Sequence, residues 1–230
     1  MDKRAKQLGR KVLQVYQAVD PEVDRRVAEL PVPVRCTKGC SGCCHLLTMV
    51  TLPEAIAIAE HVLPSPPMLA LEVEGYVARV HAIMDRFRDR PLNAQTWFES
   101  AIPCLFLTAS RQCRVYPVRP APCRYHYVVS DPARCDPPND REVHKVDTRQ
   151  AVLVVLSEVA RMSRRESVDL YIAPLPIMFL WAIKFLVEGR EAFDTALERT
   201  DLGWLDLHWW AQWAEENAPS DFVREDVPAC

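Results

Sequence analysis

The chain has 230 residues, 49% apolar and 26% charged, with a formal net charge of −3. It is long enough to bury a core without staples. The charge excludes a strongly basic nucleic-acid binder and an acidic disordered tail, and the 6 Gly form neither GxGxxG nor a P-loop.

Taken in chain order, residues 2–30 read as a helix. Leu8, Val12, Val15, Tyr16 and Val19 recur at helical spacing, and Pro21 is expected to interrupt the run. Pro31 and Pro33 end it and deliver an extended chain to the first cysteines. The opening MDKRAKQLGRKVLQVYQ lacks the apolar run of a secretory signal. The expected compartment is therefore the cytoplasm. Thiols stay reduced there, and clustered cysteines mean metal or redox chemistry more often than disulfides.

A second helix is expected from Thr51, where Thr51-Leu-Pro-Glu54 is a capping-box pattern with Pro53 in the first turn. Pro64, Pro66 and Pro67 close it and open a third. There Leu69, Val73, Tyr76, Val77, Val80, Met84 and Phe87 fill one face at steps of three and four. Residues 91–146 are rich in Pro and Cys, and only short extended pieces are expected: Cys104–Leu107, Arg114–Tyr116 and Tyr125–Val129. Helix returns over 147–218, with Val152, Val155, Leu156 and Val159 on one face, then Phe179, Leu180, Ile183, Leu186 and Val187. The stretch Tyr171 to Val187 carries two prolines and Lys184, so it reads as a buried helix and not a membrane span. A last helix capped by Asp201 would carry Leu202, Leu205, Trp209 and Trp213. Five of the six Trp lie in this C-terminal third and are expected in the core.

The nine cysteines carry the chemistry, because eight of them lie between Cys36 and Cys135. The first group is Cys36-x3-Cys40-x2-Cys43-Cys44-His45. Thiolates two or three residues apart can converge on one ion, and Gly39 and Gly42 fit turns that need positive φ. Adjacent Cys43 and Cys44 are expected to leave the backbone in different directions, and so to serve two sites or to bridge two metals. The second group is Cys104, Cys113 and Cys123, with Cys135 as a possible eighth ligand. Eight thiolates suit two four-coordinate sites, whereas seven need His45, His126, a bridging thiolate or an open position. His61, His81, His144 and His208 read as ordinary helix or surface residues. A thiolate-held ion or iron–sulfur cluster is anionic and needs compensation. Lys38, Arg111, Arg114, Arg119 and Arg124 lie beside the cysteines and could supply it. Cys36-x3-Cys40-x2-Cys43 also has the spacing of radical enzymes that use S-adenosylmethionine. The strand–helix alternation of those enzymes is missing here, and no βαβ pattern supports a thioredoxin-like reading.

These residues resemble a known family. Cys36…Cys40…Cys43-Cys44, Pro103-Cys104-x-Phe106-Leu107 and Cys113-x-Val115-Tyr116-x-x-Arg119-Pro120-x-x-Cys123-Arg124 are similar to the CxxCxxCC cysteine-cluster family, also called YkgJ-type, over roughly residues 34–130. One departure is the three-residue gap between Cys36 and Cys40, where the family name implies two. The resemblance implies chelation of zinc or iron. The family includes flagellin lysine N-methylase, which implies methyl transfer in one branch, but nothing in residues 140–230 matches a methyltransferase motif.

The expected protein is mainly α, a helical protein with an irregular Cys/Pro-rich metal-binding layer and a few short β-strands. Its expected parts are an N-terminal helix (1–33), the cysteine-cluster region (34–146) and a C-terminal helical region (147–230), packed as one compact unit. The expected function is chelation of zinc or an iron–sulfur cluster by Cys36, Cys40, Cys43, Cys44, Cys104, Cys113, Cys123 and Cys135. Alternatives are a metal-dependent enzyme such as a protein lysine N-methylase, and an iron–sulfur electron carrier or redox sensor. The expected partner is a protein, with neither nucleic acid nor membrane.

Overall fold

The structure is a computed structural model that describes residues 1–63, 69–87, 92–137 and 142–198. The fold is mainly α, as expected. Helix α1 runs over Lys3–Ala28, and the Asp2 carboxylate caps it by accepting from the Ala5 N–H at 2.8 Å. Ala5, Leu8, Val12, Tyr16, Val19 and Val23 form its buried face, packed on helices α2 (Leu52–Val62) and α6 (Arg149–Arg165). Pro21 does not interrupt α1; the helix continues through it for seven more residues. An internal proline costs about 3 kcal/mol. Val15, Val19 and Val23 are buried on both sides of it, at roughly 1.5–3 kcal/mol each, and this burial outweighs the lost bond.

Two short strands tie the ends of the fold together. β1 (Met49–Thr51) pairs antiparallel with β2 (Ile172–Pro174), in register Met49↔Pro174, Val50↔Ala173 and Thr51↔Ile172. β1 leads straight into α2. The Thr51–Glu54 capping box is present as expected, and nearly every side chain of α2 is buried between α1 and helix α7 (Leu175–Ile183). Helix α3 (Leu69–Asp85) buries Tyr76 and Val80, with Phe87 just beyond it. The Leu69 side chain lies outside the described residues. α7 is apolar on all sides and continues into a π-helical turn, Lys184–Glu188. Helix α8 (Arg190–Glu198) follows, packed on α7 and that turn. Trp181 and Trp97 are core residues. The expected last helix, with Asp201, Leu202, Leu205, Trp209 and Trp213, lies outside the described residues, as do Trp204, His208, Trp210 and Cys230. No described helix is long and apolar enough to cross a membrane.

Residues 91–146 depart from the expectation of extended pieces. They hold helix α4 (Ala94–Glu99), capped by the Asn93 side chain at 2.9 Å from the Thr96 N–H, and the single turn α5 (Ala121–Arg124). Tyr116–Val118 and Pro132–Cys135 are 3₁₀ turns. Cys104–Leu107 is a turn closed by the Leu107 N–H on the Cys104 carbonyl (2.9 Å), not a strand. Among the described residues of this region, extended pairing survives as single bridges, Leu107↔Cys113 and Val128↔Lys145. With so many prolines lacking N–H donors, no ladder can propagate here.

Candidate metal centre

The first cysteine group is shaped by two tight turns. Gly39 takes φ +99°, a value other residues resist, and the Cys40 N–H closes the turn on the Thr37 carbonyl at 3.0 Å. Gly42 through His45 form a 3₁₀ turn. Gly42 lacks the expected positive φ, and its role is close approach. A Cβ at Gly42 would stand 2.6 Å from the Cβ of Cys135, so the Pro132–Cys135 turn rests directly on its bare backbone. Cys135 is thereby brought to the first group, from which the sequence separates it by about 90 residues. Arg111 braces the same contact. Its Nε donates to the Ser41 hydroxyl at 2.7 Å and its Nη2 to Asp136 at 3.2 Å. Gly42→Ala is expected to push the Cys135 turn away. The measurable result is faster alkylation of Cys135 in chelator-treated protein, with Cys104 unchanged.

The second group is laid against the first. The Cys104 N–H donates to the Cys44 carbonyl at 2.6 Å. Several sulfurs accept hydrogen bonds: Cys36 from the Val128 N–H at 3.2 Å, Cys104 from the Phe106 N–H and Cys113 from the Val115 N–H. In the last two the donor lies two residues after the cysteine. Such N–H···S bonds favour the thiolate over the thiol. Cys123, in α5, has its sulfur 3.7 Å from the Thr48 hydroxyl.

Cys43 is the common neighbour. It lies within electrostatic reach of Cys36, Cys104, Cys113, Cys123 and Cys135, and within hydrogen-bonding reach of Cys44. The adjacent Cys44 side chain, then burial, pushes the Cys43 thiol far up. Burial pushes Cys104 and Cys123 up to about 12 and Cys135 up to about 11. All eight cysteines are free and half-buried. Among the described residues, no three His, Cys, Asp or Glu side chains stand in ready metal-holding geometry.

The neighbouring cations divide by partner. Arg124, though next to Cys123, is taken by Asp20 of α1: Nε lies 2.8 and 3.1 Å, and Nη2 2.6 Å, from the carboxylate, which also accepts from the Tyr125 hydroxyl at 3.0 Å. Arg111 is held by Ser41 and Asp136, and Arg114 sits by Tyr76. Arg119 stacks on Tyr116 at 3.8 Å and draws down the thiols of Cys36, Cys43, Cys113 and Cys123, which come from both groups. Lys38 stands over the same ring at 5.8 Å. Of the two histidines considered, His45 turns Nδ1 to the Gly42 carbonyl at 3.3 Å. His126 faces a largely apolar cleft of about 610 Å³ between the 122–127 segment and α6, where burial and Lys145 push its pKa down.

A family model described as "Putative zinc- or iron-chelating domain", CxxCxxCC, matches residues 35–149, half of the chain. No curated protein and no solved structure matches it.

Proposed function

Since the chain belongs to the CxxCxxCC family, we propose that it is a metal-binding protein whose two cysteine groups together hold zinc or an iron–sulfur cluster. The observation that carries this reading is the gathering of six cysteines, drawn from both groups, around Cys43, with backbone N–H groups aimed at several of the sulfurs. The donor set fits the group, because thiolates are the ligands both metals favour. Cys36, Cys40, Cys43 and Cys44 would come from one limb, and Cys104, Cys113, Cys123 and Cys135 from the other.

Zinc would supply a structural clamp, and an iron–sulfur cluster one-electron chemistry as well. The chain's own part is to offset some of the cost that burial sets on anionic sulfur. Val128, Phe106 and Val115 donate to sulfurs, and Arg119 offsets negative charge on both limbs. The burial-raised thiols keep their protons in metal-free protein at neutral pH. Loading therefore releases protons, and acid expels the metal.

Elemental analysis of anaerobically purified protein tests the proposal. Bound zinc or iron is expected, and fully folded, metal-free protein overturns the reading. Absorbance near roughly 400 nm selects an iron–sulfur cluster, and its absence alongside bound zinc selects zinc.

A further inference from the structure

We propose that Glu54 is a positioning residue for the second cysteine limb, acting on the metal centre through the turn that carries Cys123; the proposal rests on the metal-binding reading above. Glu54 is only 2% exposed, and its two oxygens have separate tasks. Oε2 serves the helix cap, accepting from the Thr51 N–H and the Thr51 hydroxyl, both at 2.8 Å. Oε1 serves two remote segments, accepting from the Tyr16 hydroxyl of α1 at 2.6 Å and from the Ala121 N–H at 2.7 Å. Capping needs only the first oxygen. The second reaches 67 residues along the chain to the start of α5.

The Ala121 N–H begins a helical turn and has no partner within it. The rest of α5 is a closed unit, since the N–H groups of Cys123 and Arg124 both donate to the Pro120 carbonyl, at 2.9 and 2.8 Å. Whatever fixes Ala121 therefore fixes Cys123, two residues on. The Thr48 hydroxyl, just before β1, lies on the sulfur of the same cysteine at 3.7 Å. The segment that forms the cap of α2 thus grips the Cys123 turn at two points. Groups that orient a metal ligand without touching the metal typically contribute 10–100-fold in affinity.

Three variants test this. Glu54→Gln turns an amide N–H₂ toward groups that are themselves donors. Ala121→Pro deletes the single N–H that joins Oε1 to the Cys123 turn, at a position where helices accept proline. Thr51→Val deletes one bond to Oε2 and leaves the Cys123 turn untouched. The readouts are release of native metal from anaerobically purified protein to a chelator, residue-resolved alkylation after metal removal, and far-ultraviolet circular dichroism. Glu54→Gln and Ala121→Pro are expected to release metal about 10–100-fold more readily, and to speed alkylation of Cys123 but not of Cys36. Thr51→Val is expected to change neither. If Glu54→Gln does not fold, Ala121→Pro decides alone. Parent-like release by Glu54→Gln and Ala121→Pro overturns this proposal, as does equal loss in Thr51→Val. A parent chain that carries no metal overturns it together with the reading on which it rests.

Discussion

Cys43→Ser and Cys123→Ser are each expected to lose bound metal and to lower the thermal midpoint by at least about 10 °C. Structural zinc contributes an apparent 10–16 kcal/mol in small sites, against a typical total stability of about 5–15 kcal/mol. Losing even about 5 kcal/mol shifts a domain of this size by roughly 10–20 °C. Cys43 neighbours cysteines of both limbs, so its loss removes a thiolate from the place where they meet. Cys123 lies in a turn with little apolar packing of its own apart from Ala121. Cys230→Ser, remote from both groups in sequence, serves as the control. Metal stoichiometry and calorimetry on the three variants give the answer. Full metal and an unchanged midpoint in Cys43→Ser and Cys123→Ser would remove both positions from the ligand set.

Phe179→Ala is expected to cost about 3–5 kcal/mol and to loosen the Cys104 turn as well. The Phe179 ring is fully buried in α7 and meets Phe106 edge-on at 4.9 Å and Tyr76 at 5.0 Å. Phe106 is also the residue whose N–H donates to the Cys104 sulfur. A cavity at position 179 removes the wall against which that donor is set. Trp97→Ala is the matched control. Its ring stacks on Phe87 at 5.5 Å, so a comparable loss of stability is expected there without easier metal release. Urea unfolding measures the first effect and chelator-driven release the second. Equal release from both variants would mean that stability alone governs metal retention.

The sequence reveals what is locally encoded and misses what distant residues decide. The cap of α2 was legible because Thr51 and Glu54 are three residues apart, as any capping box requires. That the same carboxylate also binds Ala121 and Tyr16 depends on the packing of three segments. The β1–β2 pair is invisible to pattern reading, since three residues cannot establish an alternation. Arg119 and Arg124 look alike beside Cys123. Asp20, 104 residues from Arg124, removes one of them from the cysteines. Gly42 invites a turn argument, yet its need is space for Cys135. The N–H···S bonds from Phe106 and Val115 follow from turns that the prolines and glycines only hint at. Pro21 in α1 shows burial on one face overruling a local breaker.

The strand pair carries a consequence for the chain as it is being made. Thr51 finds its partner only at Ile172, about 120 residues later, an interval of roughly 6–24 s at 5–20 residues per second. Through that interval Cys36, Cys40, Cys43 and Cys44 have left the ribosome, while the ladder that seats β1, and the helix α7 behind it, do not yet exist. The nascent protein therefore passes through a stage with reduced sulfur exposed and unclaimed. Production in cells under oxidative stress should trap chains mispaired within the first four cysteines. An early supply of metal during translation, and not during refolding of finished chains, should raise the yield of correctly assembled protein.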